Sequence, residues 1–238
     1  MKITIGHLFY DLLNLYGECG NVIALKNALE SQNIEVEIKN LSLHNGPWNL
    51  DDLDFIYIGA GTESNIELAL STLLNQKEEL NQHIINNKFI LATGNSIELF
   101  GKSIELQNSK IDALSLLDYD VKRTSKRIVA ECVFNLDTQD KILGFENHQS
   151  VVLGINTPLF NVEKGFGSCE NSKVEGFKEK NFIGTYLLGP ILVRNPKLLE
   201  GLCKDIITSK DPNFEFKNFE LELEEKAHNK FLEKYSKG

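Results

Sequence analysis

The hydrophobic pattern switches between two periods along the first hundred residues. Met1 to Phe9 (MKITIGHLF) has the compact apolar character of a first strand, and the polar stretch from Leu12 to Gly20 follows as a loop. Asn21 is placed to cap a helix with Ile23, Leu25, Ala28 and Leu29 on one side and its end at Asn33. Ile34, Val36 and Ile38 then alternate with Glu35 and Glu37, as in a strand with one solvated face. Asp54 to Gly59 (DFIYIG) is a near-continuous apolar run, the mark of a central parallel strand, and it closes on Gly59, Ala60 and Gly61, where backbone N–H groups can face a ligand. A single helix from Ile66 to about Asn86 leads into Lys88 to Gly101 (KFILATGNSIELFG). That stretch reads as a buried strand (Phe89 to Ala92), a tight turn at Gly94 and a helix start, with Asn95 as its cap and Glu98 completing a capping box.

The second half reads differently. Arg127 to Phe134, Lys141 to Phe145 and Val151 to Ile155 are short strands separated by turn residues, an antiparallel or mixed layer added to the parallel core. Asn181 to Gly189 returns to the core, and Pro196 to Thr208 is an amphipathic helix through Leu198, Leu199, Leu202, Ile206 and Ile207. From about residue 218 the tail is charged and helical, anchored through Leu221, Ala227, Phe231 and Tyr235. The fold expected is α/β: a mostly parallel, doubly wound central sheet with helices on both faces and the extra strand layer, in one domain spanning residues 1–238.

Composition narrows the functions. A net charge of -9 argues against general binding to a phosphate backbone, and Lys122, Arg123, Lys126 and Arg127 form only a local patch, so nucleic acid is not an expected partner. Apolar runs such as Leu53 to Ile58 are too short to cross a bilayer, and Met1 leads straight into a strand instead of a signal peptide, which together make a cytoplasmic protein without membrane insertion the expectation. Cys19, Cys132, Cys169 and Cys203 are far apart with neither CxxC nor HxxxH spacing, so reduced thiols and no metal site are expected.

Five motifs carry more than fold class. LNLYGECGN (Leu13 to Asn21), IGAGTE (Ile58 to Glu63), the strand and turn at Phe89 to Gly101, GFENH (Gly144 to His148) and GTYLLGP (Gly184 to Pro190) occur in the order found in class I glutamine amidotransferases. The chain resembles their cobyric-acid-synthase-like branch, and within it the glutaminase subunits of lipid II isoglutaminyl synthases. The resemblance implies a flavodoxin-like domain that needs no cofactor. It also implies glutamine hydrolysis by an elbow cysteine and a distant histidine, with backbone N–H groups of the glycine turn holding the oxyanion, and ammonia delivery to a Mur-ligase-like, ATP-dependent synthetase that amidates lipid II.

Against that pattern, aligning the family elbow back from Phe100 and Gly101 puts Gly94 on the cysteine, Asn95 and Ser96 on glycines and Glu98 on a glutamine. Leu188 stands at the histidine. A shift of one residue would place Thr93 on the nucleophile, but an alcohol needs a base beside it and Leu188 cannot serve. Ser96, Cys19 and Cys169 are the remaining nucleophile candidates, and His148 belongs to the family signature as an orienting residue. Arg127 matches the family arginine that pairs with the substrate carboxylate, or else forms a surface ion pair. Gly59, Ala60, Gly61, Asn95 and Arg127 therefore form the expected pocket. The functions these residues allow are a catalytically degenerate partner subunit, an active glutaminase with relocated residues, or a regulatory domain that binds glutamine or a related amino acid. The alignment further predicts that Gly94 and Leu188 face each other near Gly61 and Arg127.

Overall fold

The structure, a computed structural model, describes residues 1–136 and 140–236, the last two by backbone alone. The first half builds β1 (Lys2–Leu8), α1 (Cys19–Ser31), β2 (Glu35–Leu41), β3 (Phe55–Ile58), α2 (Glu63–Leu73), α3 (Lys77–Ile85) and β4 (Phe89–Thr93). There follow β5 (Ser103–Glu105), β6 (Lys110–Asp112), β7 (Asp120–Asn135), β8 (Lys141–Leu153), β9 (Phe160–Lys164), β10 (Val174–Glu175), β11 (Phe177–Glu179), β12 (Phe182–Thr185) and β13 (Leu187–Leu188). The chain closes with α4 (Ile191–Arg194), α5 (Pro196–Lys210) and α6 (Glu222–Ser236).

A six-stranded sheet in the order β11-β12-β4-β3-β1-β2 forms the centre, parallel throughout except for β11 at its edge. Its central strands are apolar on both faces because both are covered. Phe55, Tyr57, Phe89 and Leu91 pack with α1 and α5, while Ile56, Ile58, Ile90 and Ala92 pack with α2 and α3. The second sheet runs β10-β9-β7-β5-β6, with β8 joined to β7 and β13. Leu187 and Leu188 pair with Glu146 and Phe145, which carries the second sheet up to the C-terminal edge of the first.

Several local expectations need correction. Asn21 does not cap α1; it lies inside the helix, where Nδ2 donates to the Tyr57 hydroxyl (2.8 Å) and Oδ1 accepts from the Leu192 N–H (2.9 Å). The helix therefore begins at Cys19, and its buried face holds Val22, Leu25, Ala28 and Leu29 while Ile23 is 53% exposed. The single helix expected from Ile66 to Asn86 is two helices parted by a 3-10 turn at Leu74–Gln76. There the buried Gln76 amide bonds the Trp48 backbone N–H and C=O, a tertiary contact that outweighs helix propensity. The two short strands Lys141 to Phe145 and Val151 to Ile155 are one long β8, whose inward face (Glu146, His148, Ser150) is polar and so hid the strand from a hydrophobic reading. In the tail, Phe219 is the buried anchor; Ala227 is exposed, and Tyr235 is one of the two residues whose side chains are not described.

Buried ionisable groups fix the expected response to pH. Burial lowers His7 and His83 to about 4, so an unfolded chain takes up protons that the fold refuses as pH drops below the ordinary 6.5. Burial, with Glu146 beside it, pushes Glu175 up to about 8; here the fold holds a proton that the unfolded chain releases above about 4.5. Above pH 6.5 the histidines no longer change protonation in either state, so stability is expected to fall from there toward pH 8 as the raised Glu175 carboxyl ionises. Melting temperatures across pH 6.5 to 9 should trace this fall, and Glu175→Gln should flatten it.

Candidate functional site

The strand β4 ends in Thr93, and the chain then turns at Gly94 with φ +63°. Gly94–Leu99 forms a 3-10 segment in place of the expected α-helix. Its Asn95 is not a cap. The Asn95 amide instead crosses to the glycine turn after β3, donating to the Gly61 carbonyl (2.8 Å) and accepting from the Gly61 N–H (3.1 Å). Glu98 likewise leaves the expected capping box and is buried against Arg123 (3.4 Å); desolvation raises its pKa, opposed by Ser150 and Arg123.

Gly94 and Leu188 meet. A Cβ built on Gly94 would stand 2.7 Å from Leu188 Cδ2 and 2.6 Å from Ala60 Cβ, separations that packed carbons do not reach. Ala60 and Leu188 are 2% and 1% exposed, so the three residues make a closed apolar contact at the elbow.

The hydroxyls at the turn are already engaged. Thr93 is fully buried, donating to Glu18 Oε2 and lying 2.7 Å from the Tyr57 hydroxyl. Tyr57 also donates to Glu18 Oε2 (2.7 Å). Ser96 donates to the carbonyls of Ile58 (3.0 Å) and Thr93 (2.8 Å). Burial raises the pKa of Glu18, opposed by its bonds from Thr93 and Tyr57. None of this cluster was visible as a unit in the sequence, because Glu18, Tyr57 and Thr93 belong to three separate motifs.

In front of the elbow lies a polar cavity of about 210 Å³, lined by Tyr16, Ala60, Gly61, Asn95, Glu98, Arg127 and His148 among others. Gly59, Gly94 and Leu188 do not line it. Arg127 reaches it because the β7–β8 register shifts between Arg123 and Ile128, and such an irregularity re-aims the side chain. Its guanidinium donates to Asn147 Oδ1 (2.6 Å) and Gln149 Oε1 (3.3 Å), and it has no carboxylate partner among the described residues; the alternative of a surface ion pair is thus not found. Asn147 is held in turn by its bond to the Tyr16 hydroxyl (2.8 Å). His148 stacks flat on Tyr186 (3.9 Å) and donates through Nδ1 to the Ser150 carbonyl (2.7 Å).

The thiols lie elsewhere. Cys132 and Cys203 are buried, and burial pushes both thiols up, Cys203 to about 12. Cys19, expected in a loop, is the first residue of α1, and Cys169 is half-buried; neither lines the cavity. No cluster of three metal-ligating side chains occurs among the described residues. No described helix is long and apolar enough to cross a membrane.

One expected outcome concerns the Asn95 bridge. Asn95→Ala should lower stability by about 1–3 kcal/mol, since it strips two backbone groups of their partners. Chemical denaturation measures this directly.

A doubly wound sheet with an elbow at the carboxyl end of a central strand, joined to an antiparallel layer, defines the glutamine amidotransferase fold. The glutamine amidotransferase of Thermotoga maritima superposes with a TM-score of 0.53 over 95% of this chain and 92% of that one, at 11% identity. The chain belongs to the CobB/CobQ-like glutamine amidotransferase domain family, which it matches over residues 4–196. Among its relatives, the lipid II isoglutaminyl synthase (glutamine-hydrolyzing) subunit GatD of Staphylococcus aureus is 31% identical over 227 residues, covering 95% of this chain and 93% of that one. The subunit of the same name from Streptococcus pneumoniae is 29% identical, covering 88% and 82%.

Proposed function

We propose that this chain is the glutamine-amidotransferase-like subunit of a lipid II amidating complex, that its partner is a Mur-ligase-like, ATP-dependent synthetase, and that it contributes no glutamine hydrolysis of its own. Likeness to the two GatD subunits along nearly the whole chain supports the assignment to that complex. The observation that carries the second half is the closed contact of Gly94, Ala60 and Leu188 at the elbow. A thiolate needs room at the turn, a base within hydrogen-bond reach and free N–H donors for the oxyanion. Here the room is filled, a leucine stands in the place of the base, and the Gly61 N–H is bonded to Asn95.

In this role the subunit holds or positions the synthetase, which takes free ammonia or another amine. Co-purification tests the pairing: the chain and the synthetase should elute as one complex, and amidation by that complex should respond to ammonium and not to glutamine. Separate elution would end the assignment.

One observation favours a second reading, a regulatory pocket. Arg127 offers an uncompensated guanidinium to a polar cavity of about 210 Å³, the setting for a carboxylate. If glutamine or glutamate binds there, saturating ligand should raise the melting point by the equivalent of about 2–4 kcal/mol, and Arg127→Ala should abolish the shift. No shift with the wild-type chain removes this reading.

A further inference from the structure

A second recess lies on another face of the molecule. It is a cleft of about 330 Å³ between α1, α4 and the segment entering α6, floored by Ala24, Ala28, Leu199 and Phe219. Ile23 and Val193 line it and stay 53% and 44% exposed. Two large apolar side chains left in water around one concave site are the mark of a surface awaiting a partner. No residue lines both this cleft and the polar cavity at the elbow, so the two are separate sites, and Leu199, Phe219, Leu221 and Glu224 lie beyond the stretch that the family domain matches.

The rim supplies the second observation. Glu220 and Glu224 both line the cleft, and neither has an ion-pair partner among the described residues. Apolar floor and acidic rim together select an apolar side chain flanked by lysine or arginine. A second copy of this chain fits poorly, since each copy carries a net charge of -9 and a symmetric contact would bring two acidic rims together.

We propose that this cleft is the docking site for a segment of the synthetase subunit that presents an aliphatic or aromatic anchor beside basic residues. The proposal rests on the companion-subunit reading above and adds where the partner is held. Burying Ile23 and Val193 under the anchor removes apolar surface from water, and the two carboxylates fix its orientation. An anchor in such a pocket carries most of the binding energy of an interface.

The test is binding of the full chain to the purified synthetase, measured by calorimetry for the wild type, Ile23→Asp, Val193→Asp and Glu224→Lys. Melting temperatures of the free variants separate lost binding from lost folding; Ile23, Val193 and Glu224 are all partly exposed, so these should change little. About tenfold or greater weakening by each variant, with binding by Glu224→Lys less sensitive to salt than that of the wild type, is the expected result. Tight binding by the wild type that all three variants retain would overturn the docking site and leave the companion-subunit reading standing. No binding by the wild type would overturn both. Concentration-dependent self-association of the wild type, lost in Ile23→Asp, would assign the cleft to a second copy and overturn the proposal.

Discussion

Gly94→Cys, which installs the family nucleophile, is expected to destabilise the protein by about 2–4 kcal/mol and to give no glutaminase activity. Two costs combine. The new Cβ enters a backbone conformation with φ +63°, which non-glycine residues adopt at a cost of about 1 kcal/mol or more. It also overlaps Ala60 and Leu188, and overpacking a closed site adds about 1–3 kcal/mol. The strain should be shared: Leu188→Ala removes one overlap and Ala60→Gly the other, so the triple variant should be more stable than the sum of the three single effects. Thermal unfolding of the seven variants measures that coupling. Additive effects would mean that the three residues do not close on each other.

Tyr57→Phe is the second large effect, expected to cost about 2–4 kcal/mol although it leaves the ring in place. Its hydroxyl accepts from Asn21, donates to Glu18 and contacts Thr93, all within the core, so its removal strands polar groups that no solvent reaches. The cluster also has a proton requirement. Tyr57 and Thr93 each own one hydroxyl proton, and both are spent on Glu18 Oε2, yet the two oxygens lie 2.7 Å apart. All three contacts of the triangle become hydrogen bonds when Glu18 is protonated, which agrees with its raised pKa. A group so shifted favours the fold at low pH and loses that advantage as pH rises through its folded value. Glu18→Gln, which keeps a donor at all pH values, should therefore be milder than Tyr57→Phe, and most clearly so at alkaline pH.

The parallel core was legible in the sequence because apolar strands and glycine turns are local signals. Phe55 to Ile58 and Phe89 to Ala92 could be read directly, as could the turn at Gly59 to Gly61. The side chains that escaped have partners far along the chain. Asn95 has the identity and position of a helix cap, yet it bonds Gly61, 34 residues earlier. Glu98 looked like the other half of a capping box and is drawn away by Arg123, 25 residues later. The polar inner face of β8 broke the alternation that reveals a strand, and Arg123 looked like surface charge until Glu98 and Glu67 drew it inward. Ala60, expected in the pocket, lines it, but its second contact was hidden. As the middle of a glycine-flanked turn it suggested a backbone N–H facing a ligand; its methyl group closing on Gly94 depends on a strand pairing that no local pattern contains.

The central claim is that a family scaffold persists here without its hydrolytic chemistry. The most direct measurement is glutamate release from glutamine by the purified chain, alone and with the synthetase, alongside labelling by a cysteine-directed glutamine analogue. No glutamate above the uncatalysed rate and no labelled thiol is the expected result. Sustained turnover, with one of the four cysteines labelled and activity lost when that cysteine is replaced, would contradict it.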